Sequence, residues 1–263
     1  MADFALGQGC RTFTSNRGAT SSGITVTSSA SANTMGAWSE LVASTAEEAV
    51  HLKVSIPNIA VVGSSTVSYL LSIGIGPATE TILIEHLHFG QDNTDTNHGF
   101  FYYGLPVSIP KGSRVTARCQ SNTADADSVD VLAEFTVGSF ESTPGYGGVV
   151  SYGSVSASSN GTEVDPGASA NTLGAWSELT ASCEELKGFF LSIGMNARTS
   201  VTTDINIFEV GIGSAGNEEI VAAGIVFKKG TFESSMGDTS FRNIAVPAGA
   251  RISIRGQCDS NSA

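Results

Sequence analysis

Basic residues are scarce in this chain. Thirteen Lys and Arg stand against 25 Asp and Glu in 263 residues, a formal net charge of -12 at pH 7. A surface of that sign repels phosphate backbones, so nucleic-acid binding is not expected. The acid excess favours solubility without choosing a partner. Long apolar runs are missing as well, none approaching the roughly 18 residues of a membrane span, so no membrane partner is expected. The start, MADFALGQGC, has neither the basic segment nor the apolar run of a secretory leader, which predicts a protein made in a cytosol. The four cysteines, Cys10, Cys119, Cys183 and Cys258, are scattered with no CxxC pair, and reduced thiols are expected. Histidine is rare too: His51, His86, His88 and His98 all fall in the first half. At 41% hydrophobic and 14% charged residues, the chain is nevertheless too apolar for disorder.

What is present is a repeat. SANTMGAWSELVAS at 31–44 returns as SANTLGAWSELTAS at 169–182, with twelve of fourteen positions identical at an offset of 138. SIGIGPATE at 72–80 then aligns with EVGIGSAGN at 209–217, and SIPKGSRVTARCQ at 108–120 with AVPAGARISIRGQ at 245–257, both at an offset of 137. Near-constant spacing over this length predicts two units of one topology, most economically a duplication.

Between these landmarks the apolar residues alternate as in strands. In SRVTARC, Val115 and Ala117 face one way and Arg114, Thr116 and Arg118 the other. The first unit offers eight such runs: Gly23–Ser28, Ala37–Ser44, Ala49–Ile56, Thr66–Ile73, Glu80–Phe89, Phe100–Ile109, Arg114–Gln120 and Ser128–Phe135. The second offers seven: Gly148–Ala157, Ala175–Ser182, Gly188–Gly194, Val201–Val210, Glu218–Phe227, Thr239–Val246 and Arg251–Gly256. β-branched and aromatic residues fill the runs, and Gly, Pro, Asn, Asp and Ser fill the gaps. No segment sustains a helical period, although Ser44–Val50 and Ser182–Leu186 suit single helical turns. The expected fold is all-β: two tandem antiparallel β-sandwiches of jelly-roll type. The expected domains are an N-terminal arm at 1–22, a first sandwich at 23–137, a Gly/Ser/Tyr-rich linker at 138–147, and a second sandwich at 148–263 without a final strand. A sandwich missing an edge strand exposes backbone that another segment can fill, and Asp3–Thr14 is a candidate donor, within the chain or to a neighbour.

Candidate chemistry is thin. A hydrolytic triad needs histidine, and the second unit has none. His86 and His88 are the only metal candidates of note, because alternate strand residues share a face; Asp92 and His98 lie nearby in sequence. DNTDTN at 92–97 lacks the spacing of a calcium loop. Glu40 and Glu178 recur beside Trp38 and Trp176, and read better as solvent-facing strand residues beside buried indoles than as a glycosidase pair. Gly74-Ile-Gly76 and Gly211-Ile-Gly213 read as tight strand ends, not phosphate loops. Pro110-Lys-Gly112 and Pro247-Ala-Gly249 suit turns with proline at the second position. Arg114, Arg118, Arg251 and Arg255 line equivalent faces and are candidate interaction residues toward carboxylates across an interface. No residue is assigned a catalytic role and no cofactor is expected.

The succession of NTxGAWSEL, Gly-Ile-Gly and Ile/Val-Pro-x-Gly-x-Arg-Ile/Val resembles a recurrent β-sandwich module in structural proteins of tailed bacteriophages. The landmarks are Asn33–Leu41, Gly74–Gly76 and Ile109–Val115, then Asn171–Leu179, Gly211–Gly213 and Val246–Ile252. The resemblance implies a non-enzymatic virion component, a capsid decoration (cement) or tail-associated protein made in the host bacterial cytoplasm. Its implied partners are other virion proteins and further copies of itself. A glycan-binding module of a fibre is the alternative, with Phe100–Tyr103 and Tyr146–Tyr152 as candidate aromatics for a host surface glycan. A cupin-like metalloprotein using His86 and His88 is the third reading.

Overall fold

The computed structural model describes residues 11–14, 23–60, 67–91, 101–137, 147–192, 205–228 and 242–260. Among them every regular element is a β-strand and none is a helix. They divide into two compact units. The first holds the described residues up to Ser151, apart from 67–68 and 88–91, which group with the second. The second continues from Tyr152.

The first unit contains β1 (Arg11–Thr14), β2 (Ile24–Thr27), β3 (Ser39–Val42), β4 (Ala49–Ala60), β5 (Val67–Ile75), β6 (Thr81–Gln91), β7 (Phe101–Leu105), β8 (Val115–Ser121) and β9 (Ser128–Val137). The last eight fall where the sequence pattern predicts strands. They form two sheets, one ordered β1-β9-β4-β7 with β2 also on β9, the other β3-β8-β5-β6. Strand β9 shows why: Val129, Val131, Ala133, Phe135 and Val137 are all at most 2% exposed, and the residues between most of them are half-buried. Leu52, Val54 and Ile56 of the neighbouring β4 are fully buried on the same principle. Each such side chain contributes roughly 1.5–3 kcal/mol relative to exposure. The β4–β9 register shifts between Ser55 and Asn58, at Pro57, which has no N–H to give to the ladder.

Strands β1 and β2 share β9. Arg11–Thr14 pairs with Glu134–Val137, and Ile24–Thr27 with Ser128–Val131. The described part of the proposed donor segment therefore completes the first unit of its own chain, rather than a slot in the second; Asp3–Cys10 lies outside the described residues. The predicted strand Gly148–Ala157 is also revised. Val149 bridges Ile84 in parallel fashion, donating to the Leu83 carbonyl at 2.8 Å and accepting from the Glu85 N–H at 3.1 Å. This stretch extends the first unit beside β6.

The second unit contains β10 (Ser154–Val155), β11 (Asn160–Gly161), β12 (Ser177–Thr180), β13 (Ile205–Ile212), β14 (Glu219–Lys228) and β15 (Ile252–Cys258). β10 and β11 make a small hairpin, and the others form one sheet in the order β12-β15-β13-β14. Its core gathers Phe208, Val210, Ile225, Phe227, Val246, Ile252 and Ile254, with Phe189 and Leu191 packed against it but only partly buried. The predicted strands Gly188–Gly194 and Thr239–Val246 reduce, among the described residues, to the bridges Phe189–Arg242 and Leu186–Val246. Neither predicted helical turn forms: 44–48 is bends and irregular chain, and Leu186 joins the second bridge.

Candidate functional site

The residues that recur in sequence converge in space, once in each unit. In the first, Ser39 and Glu40 of β3 pair with Ala117 and Thr116 of β8, and β8 pairs with β5 so that Ser72 opposes Arg118 and Gly74 opposes Thr116. In the second, Ser177 and Glu178 pair with Ile254 and Ser253, and Glu209 opposes Arg255. Asparagine opens both copies because its backbone there is left-handed, a conformation Asn tolerates: φ is 56° at Asn33 and 59° at Asn171. The Asn33 N–H donates to the Ser121 carbonyl at 2.7 Å, and the Asn171 N–H to the Cys258 carbonyl at 2.6 Å.

One arginine then ties three segments together. Arg114 Nε donates to Glu40 at 2.8 Å and its Nη1 to Glu80 at 2.6 Å. Arg251 repeats this, with Nε to Glu178 at 2.6 Å and Nη1 to Glu218 at 2.8 Å. Hydrogen bonds to Glu40 and then Glu80 hold the Arg114 pKa above its ordinary value, and Glu178 then Glu218 do the same for Arg251. Burial pushes the Glu218 carboxyl up. The Arg251 hydrogen bond, backbone donors and the Arg251 charge together outweigh it, so the group sits below the usual range.

A second arginine stacks on each tryptophan. The Arg118 guanidinium carbon lies 4.4 Å from the Trp38 ring centroid, and that of Arg255 lies 4.3 Å from Trp176. Such contacts are worth about 0.5–2 kcal/mol. The tip of each indole meets a glycine: a Cβ on Gly74 would come within 3.0 Å of Trp38 Cη2, and one on Gly211 within 2.9 Å of Trp176 Cη2. This close approach is the reason for the first glycine of each Gly-Ile-Gly. The glutamate after that loop was hidden from sequence alignment because the second loop is one residue longer, so Glu80 matches Glu218 rather than Asn217.

Of the four candidate interaction arginines, Arg114, Arg251 and Arg255 are therefore spent on carboxylates of their own unit. Arg255 holds Glu209 with Nε at 2.9 Å and Nη2 at 2.7 Å. Glu40 and Glu178 are half exposed, as expected for strand glutamates, but they serve as arginine ligands. The Pro-x-Gly segments do turn, with Gly112 at φ 82° and Gly249 at φ 81°. The closing bonds run from the Ser113 N–H to the Pro110 carbonyl and from Ala250 to Pro247, so proline takes the first position, not the second.

The histidine pair fares differently. His86 has φ 54°, as Gly224 at the matching place has φ 68°. This left-handed residue is a local irregularity within β6, and beyond it buried Leu87 and Phe89 still alternate with the half-buried His86 and His88. Burial lowers the pKa of both, that of His88 to about 4. Among the described residues no group of three His, Cys, Asp or Glu side chains is placed to hold a metal ion; Asp92–Asn97 and His98 lie outside them. Of the candidate aromatics, Tyr103 is buried, and the Tyr152 hydroxyl accepts the Glu184 N–H at 2.9 Å while its ring packs on the second core. Phe100 and Tyr146 are outside the described residues. Cys119, Cys183 and Cys258 are buried free thiols, with burial pushing Cys119 up to about 12. Among the described residues no helix is long and apolar enough to cross a membrane.

Comparison with protein-family models, with curated proteins and with solved structures gives no match for this chain.

Proposed function

We propose that this chain is a non-enzymatic structural component of a bacteriophage virion, a capsid decoration or tail-associated protein, built from two copies of a jelly-roll unit that arose by duplication. The observation that carries the reading is the use made of the repeated residues. Trp38, Gly74, Glu40, Glu80 and Arg114, with Trp176, Gly211, Glu178, Glu218 and Arg251, are engaged in joining three segments of their own unit. What the repeat preserves is thus mechanical. The order of β2 to β9 supports the jelly-roll reading: β2-β9-β4-β7, with β1 added on β9, and β3-β8-β5-β6 are the neighbours a jelly roll would have, and that architecture is used by viral capsid, lectin and cupin domains. Recurrent backbone bonds support the duplication, since the Ala49–Ile109 bridge returns as Leu186–Val246.

The joints to partner subunits would use apolar strand surface. Among the described residues strand β14 ends its sheet, and it exposes Ile220 at 46% and Val226 at 53%. Surface of this kind suits contacts with other virion proteins or further copies of the chain. Two linked units engaging two sites would gain avidity from effective concentration. The test is peptide mass spectrometry on density-banded phage particles from the source culture. The reading expects peptides of this chain in the particle band, at a ratio to the major shell or tail protein that survives repeated banding. Their confinement to the soluble fraction would contradict it.

A further inference from the structure

The two arginine–tryptophan stacks differ in the residue opposite the arginine, and in the first His86, close enough to feel the Arg118 charge, stands where the second has Gly224. Arg255 is capped by Glu209 across the β13–β15 pair. At the same place across β5–β8, Arg118 faces Ser72, whose side chain is too short and uncharged to cap it. Ser72 is 1% exposed, and its Oγ lies 3.4 Å from the His86 backbone N–H. The Arg118 Nε is buried and, among the described residues, has no hydrogen-bond partner. The Arg118 guanidinium carbon stands 4.4 Å from the Trp38 ring centroid, as that of Arg255 stands 4.3 Å from the Trp176 centroid.

We infer that Arg118 is a receptor point for an external carboxylate, which takes the place at Ser72 that Glu209 fills in the second unit. The chemistry is that of the internal model. A guanidinium oriented by an indole presents Nε–H and Nη–H to a single carboxylate, a charge-assisted pair shorter and stronger than a neutral hydrogen bond. A buried Nε–H without an acceptor carries a desolvation cost that an arriving carboxylate removes. The ligand is a glutamate or aspartate side chain of a partner protein, or a free carboxylate of the same shape.

Arginine side-chain NMR on the intact chain tests this, with the Arg118 Nε–Hε signal assigned by its loss in Arg118→Lys. Titration with acetate, and separately with N-acetyl-glutamate amide, is expected to shift the Arg118 signal to saturation and leave Arg255 in place. Tighter binding of the blocked glutamate would assign the site to a protein side chain, and equal binding to any small carboxylate. In Ser72→Glu the built-in carboxylate is expected to reproduce the shift without ligand and abolish the response. A linear, unsaturating response, equal movement of Arg118 and Arg255, or an undiminished response in folded Ser72→Glu would each overturn the assignment. The Arg118–Arg255 comparison within the unaltered chain decides the matter if Ser72→Glu does not fold.

Discussion

The two units carry the same arginine–glutamate–tryptophan cluster on differently completed frames. In the first, β4 lies between β7 and β9, and Leu52, Val54 and Ile56 are fully buried. In the second, the residues matching Ala49 and Leu52 are Leu186 and Phe189, which keep the same cross-strand bridges but lie only partly buried. Among the described residues of the second unit no strand stands where β9 stands in the first. The contrast separates two kinds of specification. The sheet holding the cluster is tied by side chains that belong to its own strands, so it forms alike in both. The opposite sheet of the first unit depends on a long strand, β9, whose alternating face closes the core.

The largest expected effect comes from matched truncations. Leu52→Ala should cost about 2–5 kcal/mol, as for a fully buried leucine. Phe189→Ala, at the matching place, should cost less than half of that despite its larger side chain, because its cavity opens to water. Chemical denaturation followed by hydrogen exchange in each unit reads both values, and equal costs would break the comparison.

Acid should act through His88, whose counterpart is the exposed Val226. Burial holds the folded His88 at about 4, against an ordinary histidine value of 6.5. The folded state therefore resists the proton that the unfolded chain accepts. This contribution is complete above pH 6.5 and is lost as the pH falls toward 4, by about 3 kcal/mol in all. His88→Val should flatten the stability profile over that window; an unchanged profile would remove histidine burial as its cause.

Glu209→Ser would give the second unit the uncapped arginine of the first. Leaving Arg255 without its carboxylate should cost about 1–3 kcal/mol. Thermal unfolding checks it, and no loss would mean the stack on Trp176 suffices alone. Smallest is the left-handed residue of the sixth and fourteenth strands. His86→Gly should gain up to about 1 kcal/mol and Gly224→His should lose a similar amount. Opposite signs in calorimetry would show that His86 is held there by contacts that repay the strain.

The sequence made much of this legible. All eight runs predicted for the first sandwich are strands, because alternation against one apolar face is a local signal. The repeat also pointed to the residues of the cluster, although Arg114 and Glu40 looked like surface groups until the strand register joined them. Glu80 and Glu218 escaped because an added loop residue broke their alignment. The left-handed backbone at His86 was not legible, since such a residue within a strand leaves no mark in composition; Gly224 at the matching place was the available clue. The difference between Ser72 and Glu209 was visible but had no meaning until each stood opposite its arginine. The route of Gly148–Ser151 along β6 depends on backbone bonds that do not constrain side-chain identity.

Native-state hydrogen exchange on the intact chain tests most directly whether the recurrent cluster is a shared mechanical element on unequal frames. The account predicts that amides of β5 and β8 and of β13 and β15 are protected in both units. It also predicts that β4 amides exchange far more slowly than those of 186–192. Equal protection of β4 and 186–192, or rapid exchange across β13 and β15, would contradict it.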